Sequence, residues 1–86
     1  MATVEEIKAG VAQFGERTEQ QVAQILAVVE SVNQTTALLR AITTGTSHSQ
    51  VAEALARLGQ VREKLHEAAT LARGAVGATR NYVAGF

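Results

Sequence analysis

The sequence predicts an all-α protein: an antiparallel two-helix hairpin with coiled-coil-like packing that pairs further into a four-helix bundle. Three observations predict it. Apolar residues repeat every seven positions in both halves of the chain. A short polar segment with Gly45 separates the halves, and none of the 86 residues is a proline that would interrupt a long helix. One hairpin over residues 1–86 accounts for the whole chain, which is too short for a second domain.

Both halves carry the seven-residue repeat of a coiled coil, over residues 4–42 and 51–86. When antiparallel helices are aligned a against d, Ile42 meets Val51 beside the turn, and the same register continues to the chain ends. The a positions are Val4, Val11, Thr18, Ile25, Val32 and Leu39, then Val51, Leu58, Leu65, Ala72, Thr79 and Phe86. The d positions are Ile7, Phe14, Gln21, Val28, Thr35 and Ile42, then Ala54, Val61, Ala68, Ala75 and Tyr82.

The first helix is predicted to run over about residues 4–44. Thr3 followed by Glu6 forms a capping box, which satisfies free backbone N–H groups at a helix start. No breaker interrupts the pattern before Thr44. Gly45 then supplies the left-handed residue with which many helices end.

The turn is predicted at about residues 45–47 and the second helix at about residues 48–84. Ser47 followed by Gln50 repeats the capping pattern, and helices joined by so short a turn fold back on each other. The first 45 residues carry five acids and three bases, and the remaining residues carry three acids and five bases. Two helices of opposite net charge are therefore expected to lie side by side.

The layers near the turn are predicted to pack better than those near the termini. Between Ile42 and Ile25 the facing residues are aliphatic and alternate large with small. Thr18, Gln21 and several glycines thin the other half. We expect that half to be the weaker one, with Thr18 and Gln21 either setting the register or lining a small pocket.

Apolar side chains outside the a/d stripe indicate a further partner. A lone hairpin buries one stripe per helix yet must order nearly every residue, and a second hairpin would cover the excess. Scattered surface aliphatics are the alternative. We expect a homodimer, or a heterodimer with another helical protein. The residues predicted to carry this interaction are Val22, Ile25, Leu26, Val29, Val32, Leu55, Leu71 and Val76.

No residue pattern indicates catalysis. Glu63 and His66 have the spacing of a metal-binding pair on one helix face, but the heptad directs both away from the seam. His48 lies among serines in the turn without a third group to orient it. The chain has no cysteine for a thiolate metal site. We predict a non-enzymatic protein with no cofactor, no bound metal and no small-molecule substrate.

Charge and composition limit the classes of partner and the cellular compartment that we expect. The formal net charge is zero, so no nucleic-acid partner is expected. The opening MATVEEIKAG carries acids where a signal peptide carries bases, and no run approaches the roughly 18 apolar residues of a transmembrane segment. We expect a cytoplasmic protein, or one that is secreted without a cleavable signal peptide.

Three segments, MATVEEIKAG, TTGTSHSQV and RNYVAGF, resemble small actinobacterial helical-hairpin proteins of the WxG-type, ESAT-like superfamily. At the family's Trp-x-Gly position the chain has Thr43-Thr44-Gly45. Of the family's export motif it has Tyr82, with Phe86 in the place of the acid. The resemblance implies a dimeric adaptor associated with type VII secretion or with a polymorphic toxin. The alternative is a self-assembling structural or surface-coating helical protein.

Overall fold

The computed structural model covers residues 1–86 and consists of two α-helices joined by a short turn. Helix α1 spans Val4–Ile42 and helix α2 spans Ser49–Ala84. They pack against each other in a rod that measures 63 × 18 × 16 Å, and no strand is present. The predicted all-α antiparallel hairpin is confirmed.

Threonine side chains hold both ends of α1. Thr3 Oγ1 accepts a hydrogen bond from the backbone N–H of Glu6 at 3.1 Å and donates one to the Glu6 carboxylate at 3.2 Å, so the predicted cap forms. At the other end Thr43 is the C-cap, and its hydroxyl donates to a carbonyl of the last turn at 2.6 Å. Helix α1 therefore ends at Ile42, short of the predicted end at Thr44.

The chain reverses through Gly45, whose φ of +86° lies in the left-handed region as predicted. Helix α2 begins slightly later than predicted because His48, and not Ser47, is its N-cap. The Nδ1 atom of His48 accepts a hydrogen bond from the backbone N–H of Gln50 at 3.1 Å. An imidazole nitrogen thus provides the acceptor that the sequence analysis assigned to a serine hydroxyl.

The helices meet through their a and e positions rather than through a and d. The buried e positions are Gly15, Val22, Val29, Ala69 and Val76. The a positions are buried or half-buried except at the two extreme ends, Val4 and Phe86. Most residues predicted at d are exposed instead, among them Val28 at 48% and Val61 at 44%, whereas Ile7 and Ala54 are half-buried. The predicted seam is correct in its a column and wrong in its d column.

The register agrees closely with the prediction. A Cβ atom added to Gly15 would lie 3.6 Å from Cγ1 of Val76, and Oε2 of Glu19 lies 3.9 Å from Nε of Arg73. The predicted register sets Gly74 opposite Glu19, one position from the residue observed. The helices are therefore rotated about their own axes relative to the prediction, rather than slid along each other.

Complete burial is concentrated in one half of the rod. We call residues 4–24 with 69–84 the open half, because it carries the termini, and residues 25–68 the turn half. Five of the six buried residues lie in the open half. In the turn half only Val29 is buried, and the other seam residues are half-buried or, at Arg62, exposed. The prediction that the turn half is the better packed one is wrong, because small seam residues such as Gly15 and Ala69 allow the helices to approach closely.

Candidate interaction surface

The a/e seam divides the remaining surface of the hairpin into two sides. Equivalent heptad positions of two antiparallel helices lie on the same side of their seam, because such a pair has an approximate two-fold axis. The d and g positions of both helices therefore share one side, and the b positions share the other. The ion pair between Glu19 and Arg73, both b positions, spans the helices on that second side.

The d/g side carries most of the large apolar side chains that the hairpin leaves exposed. Each of them is between 41% and 72% exposed. The apolar face, as we call this set, consists of Phe14, Val28, Leu38, Ile42, Val61, Leu71 and Tyr82. The other exposed large apolar residues, Met1, Val4 and Phe86, lie at the chain ends, and none lies on the b side. The exposed apolar surface is therefore segregated to one side of the rod.

The apolar face extends along the whole rod, and the size of its side chains varies along the way. It begins with Ile42 beside the turn and reaches the open end at Tyr82, whose ring packs edge-to-face on Phe86 with centroids 5.1 Å apart. Between the bulky residues the d positions hold small or polar side chains. These are Gln21, Thr35, Ala54, Ala68 and Ala75, of which only Ala54 is half-buried and the rest are exposed.

The edges of the apolar face carry little unpaired charge. Along α2, Arg57 pairs with Glu53 at 2.8 Å, and Lys64 pairs with Glu67 at 3.3 Å. Along α1 the g positions beside this face are uncharged apart from Arg17. A partner that covers this side would therefore remove little uncompensated charge from water.

The opposite side is polar and has two shallow grooves. One lies near the open end, between Gly15 and Arg80, and the other lies near the turn, between Asn33 and Arg62. Acids and bases are mixed along this side, so it presents no field of a single sign. Its b positions include Glu19, Asn33, Arg40, His66, Arg73 and Arg80.

The residues predicted to carry the interaction fall into three groups. Val22, Val29 and Val76 are buried between the helices of one chain, so the prediction that they lie outside the seam is wrong. Ile25, Leu26, Val32 and Leu55 are half-buried. Leu71 is 67% exposed and belongs to the apolar face. As an interaction set they remain a prediction.

Sequence reasoning missed the d residues of the apolar face as interaction candidates. Phe14, Val28, Ile42, Val61 and Tyr82 were visible in the heptad pattern but were assigned to the seam within the hairpin. The available signal was the width of the apolar arc, because helices with apolar residues at a, d and e are typical of bundles with more than two helices.

The chemically reactive side chains do not converge. No group of three or more His, Asp or Glu side chains is close enough together to hold a metal ion. Glu63 and His66 are both exposed on α2. No fully buried side-chain nitrogen or oxygen lacks a hydrogen-bond partner. The geometry offers helix surfaces for contact rather than a cluster of reacting groups.

Helix α1 is long and apolar enough to span a membrane by length and composition, with a mean hydropathy of 1.2 over its most apolar 18 residues. This differs from the expectation that no run approaches the length of a transmembrane segment. Only 11% of that stretch is buried inside the hairpin. Helix α1 also carries Gln24, Glu30 and Asn33, whose polar groups would need partners in hydrocarbon.

Comparisons with known proteins add no relative: no protein-family model, curated protein or solved structure matches the chain.

Proposed function

We propose that the protein is a non-enzymatic helical interaction module that pairs with another helical protein through its apolar face. The observation that carries the proposal is the segregation of exposed apolar side chains to one side of the rod. Single aliphatic residues scattered over a protein surface are normal, but exposed apolar residues collected on one side are typical of an interaction site.

The exposed area of the hairpin supports a partner. The chain exposes 6361 Å², whereas a compact protein of its 9.1 kDa would expose about 4,900 Å². The excess is roughly 1,500 Å², about twice the 800 Å² that each partner contributes to an interface of standard size. A helical partner laid along the rod would cover surface that the chain cannot cover itself.

The uncharged character of the apolar face favours another helix over a polyanion or a peptide rich in charge. Helix packing needs apolar side chains at intervals of three and four residues. On α1 the d and g positions supply this spacing at Leu38 and Ile42, and on α2 they supply it from Ala68 through Leu71 to Tyr82. The partner is therefore expected to supply an amphipathic helix or a helical hairpin of similar length.

Association with type VII secretion or with a toxin is a finer proposal that rests on the sequence resemblance alone. It is tested by comparing the amount of the protein in the culture medium of its host with and without a working type VII machinery. We expect the amount to fall without it. Equal amounts in the two media would contradict the association.

The pairing itself is tested with a lysine placed on the apolar face. Tagged wild type, Val28→Lys and the control Ala23→Lys are expressed in the native host, and retained proteins are identified by mass spectrometry. Ala23 is exposed at an f position, on the far side of α1 from Val28. We expect wild type and Ala23→Lys to retain the same helical protein, and Val28→Lys to lose it because the ammonium group would be buried without a partner.

Two outcomes would contradict the interaction module. Retention of the same proteins by all three chains would show that the apolar face is not used. Concentration-dependent filaments, seen by electron microscopy for the purified wild type, would favour the self-assembling structural alternative instead.

A further inference from the structure

We propose that the groove near the turn, on the polar side of the hairpin, is a second binding site that takes an acidic segment of a partner protein, with carboxylates on Arg40 and Arg62. We call it the turn groove. It lies on the opposite side of the seam from the apolar face, and it does not depend on the proposed function. Its lining includes Asn33 and Arg40 of α1 and Leu55, Leu58, Gly59 and Arg62 of α2.

The turn groove carries positive charge that nothing in its lining balances. Arg40 and Arg62 contribute one guanidinium each, and no carboxylate lines the groove. The groove near the open end is also lined by two bases, but Glu16 and Glu19 share its lining. Two bases with no acid give the turn groove a formal charge of +2, whereas two bases with two acids leave the other groove neutral. The local charge of the turn groove therefore suits an anionic partner.

Neither arginine of the turn groove is paired within the chain. The ion pairs of the hairpin use Arg57, Lys64 and Arg73, and none includes Arg40 or Arg62. Both guanidinium-bearing side chains belong to exposed residues. A guanidinium offers five N–H donors in a planar fork that matches the two oxygens of a carboxylate. These donors are therefore available to acidic side chains of another molecule.

The heptad position of Arg62 has no explanation within the hairpin. Position e of α2 belongs to the seam and is apolar elsewhere, as at Leu55, Ala69 and Val76. Arg62 interrupts this column with an exposed charge. Arg40 lies in the last turn of α1, where a base is favoured by the helix dipole. Neither helix packing nor an ion pair provides such a reason for Arg62, and an anionic ligand does.

The floor of the turn groove is apolar and open. Leu55 and Leu58 are half-buried beneath it. A Cβ atom added to Gly59 would meet nothing within 4 Å, so the helices do not need a glycine there in order to approach each other. The absent side chain widens the groove instead. A ligand that combines carboxylates with aliphatic groups therefore fits both the charged and the apolar parts of the lining.

The size of the turn groove favours a segment of a protein over an enclosed small molecule. The groove holds about 240 Å³, which is below the roughly 300–1,000 Å³ of small-molecule pockets. A protein segment needs no enclosure, because it lies across the groove and inserts only its side chains.

The separation of the two arginines also suits a segment with more than one acid. Glu19 faces Arg73 across the seam. Equal steps towards the turn place residue 52 opposite Arg40, and residue 52 lies ten positions before Arg62. Ten residues of helix correspond to about 15 Å along the rod. Two carboxylates spaced along one segment can each meet a guanidinium, while aliphatic side chains between them lie on the leucine floor.

The first test is a fluorescence anisotropy titration of the purified chain with a labelled peptide, Glu-Leu-Ala-Glu-Glu-Leu-Ala-Glu. We expect wild type to bind it. We expect the peptide with glutamine in place of every glutamate to bind about tenfold more weakly, because an exposed ion pair contributes up to about fivefold in affinity and two are lost. A wild type that binds neither peptide, or both equally, would overturn the proposal.

Variants of single arginines locate the binding site on the hairpin. Arg40→Gln and Arg62→Gln are each expected to weaken peptide binding about three- to fivefold. The matched control is Arg80→Gln, which removes the same charge from the groove near the open end and is expected to bind like wild type. Equal losses in all three variants would show a general effect of net charge and would contradict a site in the turn groove.

Filling the floor tests the groove without changing any charge. Gly59→Leu places a side chain in open space, so the helical circular dichroism spectrum is expected to stay unchanged while most of the peptide binding is lost. Gly74→Leu is the control, because a Cβ atom there also meets nothing within 4 Å and the residue does not line the groove. Full binding by Gly59→Leu would overturn the turn groove as the site.

Two further measurements separate this site from the apolar face and from a site for free anions. Val28→Lys, on the apolar face, is expected to bind the peptide like wild type, so the turn groove and the proposed function can fail independently. Loss of peptide binding in Val28→Lys would place the peptide on the apolar face instead. Inorganic phosphate, added at constant ionic strength, is expected to displace the peptide poorly. Tighter binding of phosphate than of the peptide would overturn a protein segment as the ligand.

Discussion

The two halves of the hairpin reach helix contact in different ways. In the open half, Gly15 and Ala69 bring the backbones close, and Val22 and Val76 are almost completely buried, at 1% and 2% exposure. In the turn half most seam residues are larger, and they are half-buried except for Val29, which is buried, and Arg62, which is exposed. The comparison shows that small seam residues, which weaken a helix in isolation, can complete the burial of their neighbours when two helices pack.

The turn half therefore has more to gain from a partner. Val28, Leu38, Ile42 and Val61 lie in it or at its border and are between 44% and 72% exposed. The open half contributes three residues to the apolar face, Phe14, Leu71 and Tyr82. The seam is better buried in the open half than in the turn half. The turn half is therefore expected to become more ordered when a partner binds.

The largest effect is expected from a charge in the open-half seam. Val22→Asp buries an unpaired carboxylate between the helices and should cost more than about 3 kcal/mol, enough to unfold the hairpin. The matched change Val28→Asp places the same group on an exposed position and should cost less than about 1 kcal/mol in the monomer. Urea unfolding at low protein concentration measures both, and equal losses would contradict the a/e seam.

A smaller and more direct comparison of the halves uses one substitution type. Val76→Ala removes buried methyl groups in the open half and should lower the free energy of unfolding by about 2 kcal/mol. Val32→Ala removes the same groups from a half-buried position in the turn half and should cost about 1 kcal/mol. Thermal unfolding followed by circular dichroism provides the values. A larger loss for Val32→Ala would reverse the ranking of the two halves.

The smallest effects concern glycines and have opposite signs. A Cβ atom at Gly74 would meet nothing within 4 Å, so Gly74→Ala should stabilise α2 by up to about 1 kcal/mol. Gly45 has a φ of +86°, and Gly45→Ala should destabilise the turn by about 1 kcal/mol. A melting temperature that did not fall for Gly45→Ala would show that the turn conformation is not required.

The helices and the turn could be predicted from local chemistry. The capping pattern of Thr3, the absence of proline and the left-handed position of Gly45 each act within a few residues of one another, so the sequence contains the whole cause. The N-cap of α2 was misassigned because Ser47 and His48 both offer an acceptor near Gln50. Which of them is used depends on the path of the turn.

The seam could not be predicted because two columns satisfy the same spacing rule. In an a/d seam the contact residues are spaced three and then four residues apart. In an a/e seam they are spaced four and then three residues apart. Both seams therefore have the same regularity in the sequence. The choice depends on fit between the helices. The e column offers Gly15 and Ala69 opposite valines, whereas the d column brings the bulk of Phe14 and Tyr82. The apolar face consists mainly of the column that the seam leaves exposed. The heptad pattern alone therefore could not show which residues would form this face.

The a column is shared by both seams, so the burial of the e column decides which side chains the hairpin exposes. Exchanging e for d in the seam requires each helix to roll by roughly 50° about its own axis, since successive residues are separated by 100°. Such a roll keeps the a residues at the contact but moves Val22 and Val76, which are 1% and 2% exposed, into solvent. The cost of exposing these two valines therefore keeps Val28 and Val61 on the outer surface of the hairpin.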